Sequence, residues 1–145
     1  MRTRIGRKSR GLVLGLLVAT PIGCVSPTDP PAPPGGGQEF ELSYDGFQQS
    51  VAPVFAGFGC NAVECHGGGI RGTFQLSLIT APDPAFDFEQ AALQVDPYDP
   101  SASKLLVKPL VVAAGGLPHS HEPFTSTADA GYQAILDWIL AGEFE

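Results

Sequence analysis

Phe47-Gln48-Gln49-Ser50-Val51-Ala52-Pro53-Val54-Phe55-Ala56-Gly57-Phe58-Gly59-Cys60-Asn61-Ala62-Val63-Glu64-Cys65-His66-Gly67 is the stretch from which the rest of the chain can be read. Its first half places Phe47, Val51, Val54, Phe55 and Phe58 on one helical stripe with Asp45 as N-cap, which predicts a helix over 45–59. Pro53 lacks a backbone donor, so a kink or a late start near Ala52 is expected. The second half sets two cysteines with four residues between them, and a histidine directly after the second. Two thioethers can hold the two vinyl edges of a c-type haem, and an imidazole next to the second sulfur can then reach the iron from one face. The common motif has two residues between the cysteines; a loop of four has to bulge outward.

Working outward, residues 39–145 contain all 13 aromatic side chains of the chain, together with 11 glycines and 8 prolines, a compact but loop-rich composition. Ser126 stands three residues before Asp129 like a capping box, and Tyr132, Ile135, Leu136 and Ile139 follow on one face, so a C-terminal helix is expected to end at Gly142. Asp99-Pro100 supplies an N-cap and a first-turn proline for a short helix over Ser101–Val107 that stops before Pro109. Gly72–Ile79 alternates Phe74, Leu76 and Leu78 with polar residues, a period of two that predicts a half-buried extended stretch without an obvious partner strand. Helices outnumber strands and there is no internal repeat. The expected fold is mainly α, with N- and C-terminal helices, a short middle helix and long loops.

The order of these pieces resembles that of a planctomycete-type cytochrome c domain, over roughly Phe47 to Gly142. They are Val51-Ala52-Pro53-Val54, Gly59-Cys60-Asn61-Ala62, Cys65-His66-Gly67 and Phe74-Gln75-Leu76-Ser77-Leu78. Then come Asp99-Pro100, Ser103-Lys104-Leu105-Leu106-Val107-Lys108-Pro109, Pro118-His119, Phe124, Tyr132 and Trp138-Ile139. The resemblance implies a small cytochrome c-like domain in which Cys60 and Cys65 carry covalent haem c, His66 is the proximal iron ligand and His119 matches the later histidine. Where the family usually has a glycine run after that histidine, this chain has Ser120-His121-Glu122, and it has Val63-Glu64 where smaller residues are usual.

The only methionine is Met1, so a sixth ligand would come from His119, His121, water or nothing; Pro118 stiffens the approach of His119 and favours it, with His121 as substitute. His66 and His119 are then expected to face each other across a slot, with reactive nitrogens about 4 Å apart. Two imidazoles on one iron close it to substrate and lower its potential relative to His/Met ligation, which points to electron transfer rather than an enzyme. Two other readings use the same residues. Cys60 and Cys65 could form a disulfide that clamps a non-redox lipoprotein binding domain, or Cys60, Cys65, His66 and His119 could hold zinc, although adjacent Cys65 and His66 fit one tetrahedral ion poorly. Phe47, Phe55, Phe58 and Trp138 read first as core. Lys104 and Lys108 read as solvated helix cations, with pairing to haem propionates the lesser alternative. Nothing in the sequence positions Glu64 and Glu122 together.

The N-terminus supplies the setting. Arg2, Arg4, Arg7, Lys8 and Arg10 precede the apolar run Gly11–Ile22, which is too short to span a bilayer and has the length of a signal-peptide core, so residues 1–23 are expected to direct export by the general secretory route. Ile22-Gly23-Cys24 resembles a bacterial lipobox, with Pro21 where leucine is usual, and implies a lipid anchor on Cys24. Residues 24–38, with five prolines and three successive glycines, read as a tether. The expected location is the periplasm or cell envelope, at a membrane. After Gly23 the chain has three cations against 15 carboxylates, a formal net charge of −12, which excludes nucleic-acid binding and favours a basic redox protein as partner.

Overall fold

The computed structural model describes residues 38–69 and 73–145. The expected leader, the lipidation site at Cys24, nearly all of the tether, and Gly72 with Arg71 lie outside the described residues. The described part is partly helical, with long loops between its helices, and forms one unit. None of its helices is long and apolar enough to cross a membrane.

The N-terminal helical run has three consecutive segments: α1 over Tyr44–Gly46, a π-helical turn over Phe47–Val51, and α2 over Ala52–Gly57. The expected N-cap at Asp45 is corrected to Ser43, whose hydroxyl accepts from the Gly46 N–H at 3.0 Å; Asp45 lies in the first turn. The disturbance expected from Pro53 takes the form of the wide turn just before it. A π-turn lets the ladder skip a residue where a proline removes one donor, and Pro53 sits in the first turn of α2. Phe47, Val51 and Phe55 are buried as the stripe predicts, whereas Phe58 caps the helix and is 40% exposed.

α5, Ala130–Leu140, packs across the π-helical turn, burying Tyr132, Ile135, Trp138 and Ile139. It starts three residues later than the Ser126 signal suggests. Ser126–Asp129 forms a separate turn, in which the Asp129 carboxylate accepts from the Ser126 N–H at 2.8 Å and from the Thr125 hydroxyl at 3.1 Å. Those bonds hold the Asp129 carboxyl below its ordinary value. The reaching-back half of a capping box is thus present, while the Ser126 hydroxyl accepts from the Ala128 N–H instead. The indole N–H of Trp138 donates to the Ser43 carbonyl at 2.8 Å, tying α5 to the start of α1.

The middle helix is two pieces, a 3-10 turn over Pro100–Ala102 and α4 over Lys104–Val107. Ser103 breaks them with an extended backbone; it is fully buried, and its hydroxyl accepts from the Asp96 N–H at 2.9 Å. The expected extended stretch over 72–79 joins no sheet among the described residues; Leu78 forms only an isolated bridge with Ala81, and Leu76 alone is fully buried. The paired strands are instead β1, Phe40–Glu41, and β2, Glu143–Phe144, antiparallel at the two ends of the folded chain. A further helix, α3, spans Pro84–Ala92 and was not anticipated, although Asp83 caps it from Phe86 N–H and Pro84 opens it, the same signature read at Asp99-Pro100.

Aromatic packing carries the core toward one side of the molecule. Trp138 meets Phe47 at 5.7 Å between ring centres, Phe47 meets Phe55 at 6.0 Å, Phe55 meets Phe74 at 5.9 Å, and Phe74 meets the imidazole of His66 at 4.7 Å. Most of these contacts are steeply inclined, the arrangement aromatic quadrupoles prefer.

Candidate functional site

The loop that bears the two cysteines is shaped by the end of α2. Gly59 takes a left-handed φ of 68°, the Cys60 N–H reaches back to the Phe55 carbonyl at 2.9 Å, and the Gly59 N–H reaches the Ala56 carbonyl at 3.2 Å. These are the two bonds of a Schellman stop, which projects Cys60 directly off the helix end. The chain then folds back on itself: the His66 N–H donates to the Cys60 carbonyl at 2.9 Å, and the Cys65 and Gly67 N–H groups both donate to the Ala62 carbonyl at 3.0 Å. A side chain at Gly67 would strike the Asn61 carbonyl, and one at Gly68 the Val63 carbonyl, so glycine at both positions is what lets four intervening residues fit into so tight a bulge. Val63 and Glu64 sit at its exposed crest. Asn61 is buried beside Cys60, and its side-chain oxygen is without a partner among the described residues.

Cys60, Cys65, His66, His119 and His121 all line one cavity of about 360 Å³, within the size range of small-molecule and cofactor sites. Its apolar wall includes Phe55, Phe74, Leu105 and Pro109. Of the aromatic residues singled out in the sequence, Phe55 serves both core and cavity, Phe47 and Trp138 are core, and Phe58 packs edge-on against Phe124 at 5.5 Å. Glu64 lines the cavity and Glu122 does not, so the two carboxylates are not brought together there. Glu122 accepts from the His119 N–H at 3.2 Å instead.

The three imidazoles are held differently. The His66 Nδ1–H donates to the Phe74 carbonyl at 3.0 Å, and the His119 Nδ1–H donates to the His121 carbonyl at 2.7 Å. A carbonyl only accepts, so each bond fixes the proton on Nδ1 and leaves the Nε2 lone pair available, the arrangement in which metal-binding histidines are usually oriented. His121 uses its Nε2–H to bond the Phe58 carbonyl at 3.1 Å, which ties the His119 loop to the end of α2. The His66 and His119 rings are parallel to within 7°, with centres 5.9 Å apart. Two imidazoles that grip one ion from opposite sides at about 2 Å per bond, with each nitrogen about 1 Å from its ring centre, have centres roughly 6 Å apart. The 5.9 Å between the ring centres equals that spacing, with the two planes parallel.

Burial pushes the Cys60 thiol up to about 11, with the nearby Cys65 adding to the effect. Burial likewise holds His66 below the ordinary histidine value, assisted by His119 and opposed by the Phe74 carbonyl, so its ring is neutral and able to donate a lone pair at neutral pH. Both cysteines are half-buried free thiols. Among the described residues, no three His, Cys, Asp or Glu side chains converge as an ion cage. A porphyrin brings four nitrogens of its own and asks the protein for only one or two ligands.

The Phe74 carbonyl, which orients His66, was invisible in the sequence because a backbone group carries no residue signature. Lys104 and Lys108 also line the cavity, and a visible signal existed: like charges at helical i,i+4 spacing in a chain nearly without cations. Comparison of the chain with protein-family models, with curated proteins and with solved structures finds no match in any of the three.

Proposed function

We propose that residues 39–145 form a monohaem cytochrome c-like domain that passes single electrons, carried at the cell envelope on a lipid anchor at Cys24 and exchanging electrons with a basic protein partner. The observation that carries this reading is the matched pair of imidazoles: parallel rings 5.9 Å apart, each with Nδ1 bonded to a backbone carbonyl, above a cavity that also receives Cys60 and Cys65. Haem bound in such a cavity supplies a one-electron redox centre.

The roles of the chain's own residues follow from their placement. Cys60 and Cys65 present the thiols for thioether attachment. His66 and His119 would ligate the iron of a haem held there, and the Phe74 and His121 carbonyls fix both rings in the Nδ1–H tautomer that leaves Nε2 free to do so. Phe55, Phe74, Leu105 and Pro109 give the cavity an apolar wall, which favours the less charged state of whatever packs against it. His121 is the weaker candidate for the distal position, because its Nε2 is bound to the Phe58 carbonyl.

The test is production of the mature chain alongside haem-maturation machinery. A Soret band together with an intact mass one haem heavier than the polypeptide is the expected result. A colourless protein two hydrogens lighter, with Cys60 joined to Cys65, would replace this reading with that of a disulfide-clamped binding lipoprotein.

A further inference from the structure

After Gly23 the chain has only three cations, Arg71, Lys104 and Lys108. Both lysines line the cavity; Lys104 opens α4 and Lys108 caps its C-terminal end four residues on, still in helical conformation, where like charges lie side by side and repel. The chain carries 15 carboxylates that could quench them, yet among the described residues neither ammonium is within ion-pair distance of one. Lys108 instead donates to the Pro118 carbonyl at 3.4 Å, one residue from His119. The other titratable groups lining the cavity are Glu64, the two thiols and the three imidazoles, none of which compensates two ammonium groups except the single carboxylate on the crest of the cysteine loop. Lys104 is exposed and Lys108 half-buried, so the two ammonium groups stand unneutralised at the rim of an apolar wall, where an anion entering the cavity would meet both.

We propose that Lys104 and Lys108 form the anion-receiving edge of the cavity and pair with the two carboxylates of a flat, otherwise apolar macrocycle. The inference rests on the haem reading and adds a direction to it: the ring enters with its propionate edge toward α4 and its vinyl edge toward Cys60 and Cys65.

The experiment compares the haem-loaded chain with Lys104→Gln/Lys108→Gln and with the charge-conserving Lys104→Arg/Lys108→Arg, each followed by redox potentiometry across pH. The wild-type and Arg forms are expected to hold a flat midpoint potential between about pH 5 and 8, because the paired carboxylates stay ionised throughout. The Gln form is expected to acquire a pH-dependent slope in that window as the released carboxylates titrate. Should the double Gln form fail to accumulate, Lys108→Gln alone carries the same expectation with a smaller slope. A coloured protein whose profile is identical in all forms overturns the lysine assignment and leaves the haem reading standing; a wild-type chain that never acquires haem overturns both.

Discussion

On the haem reading proposed above, which of the two neighbouring histidines would reach the iron is decided by how their nitrogens are already engaged. His119 keeps Nε2 free because its Nδ1–H is bonded at 2.7 Å, and His121 spends Nε2 on the Phe58 carbonyl. In the haem-loaded protein His119→Ala is therefore expected to convert a low-spin ferric spectrum to high-spin and to let added imidazole restore it. His121→Ala is expected to remain low-spin. Electron paramagnetic resonance reads both, and a reversal of the two results would make His121 the ligand. The buried thiol makes a second prediction, for the reduced chain without cofactor. Cys60 is raised from 9.0 to about 11, so the folded state holds its proton where the unfolded state has lost it. The corresponding stability is complete below pH 9.0 and is lost as pH rises toward 11, a fall on the order of 2 kcal/mol in denaturant titrations. Cys60→Ser should flatten that part of the profile.

At the scale of elements, patterns of side-chain spacing survived folding better than their boundaries did. The apolar stripes of the first and last helices were legible because burial of one face is a property of the sequence, and Phe47, Val51, Phe55, Ile135 and Ile139 are all buried. The breaks were not legible, because each depends on a distant partner. Ser103 splits the middle helix to bond Asp96, and residues 73–78 run extended against His66, whose carbonyl accepts from the Leu76 N–H at 2.8 Å, instead of joining a strand. The site residues Cys60, Cys65, His66 and His119 could be named in advance from motif and composition; their orienting carbonyls could not. The cysteine loop gives the prediction at this scale. Gly67→Ala would drive a methyl group into the Asn61 carbonyl, and backbone cannot yield as a flexible side chain can. The expected loss is about 3 kcal/mol or more in urea denaturation, with a fall in haem loading. Gly57→Ala, at the end of α2 with nothing within 4 Å, is the control that should leave haem loading unchanged and stability equal or slightly raised.

For the whole molecule, charge is the dominant long-range term. A formal net charge of −12 after Gly23 sets carboxylate against carboxylate across a small surface with few cations to offset them. Raising sodium chloride from about 10 mM to about 500 mM shortens the screening length from roughly 30 Å to a few ångströms, so Tm should rise by several degrees. A flat or falling Tm by differential scanning calorimetry would mean that local pairing already outweighs the repulsion. For the basic partner proposed above, the same charge would make encounter salt-sensitive, with association slowing as ionic strength rises.

The two-stranded pairing at the extremities has an engineering corollary. Phe40 stands opposite Phe144 with ring centres 4.9 Å apart, and the Glu145 N–H donates to the Glu39 carbonyl at 3.0 Å, so the beginning and the end of the folded chain touch. A short glycine-serine bridge can therefore join position 145 to position 39, and new termini can be cut at an exposed turn such as Thr80–Pro82. The rewired polypeptide should still close the same pocket, with its imidazoles facing as before, since neither the cut nor the bridge touches them.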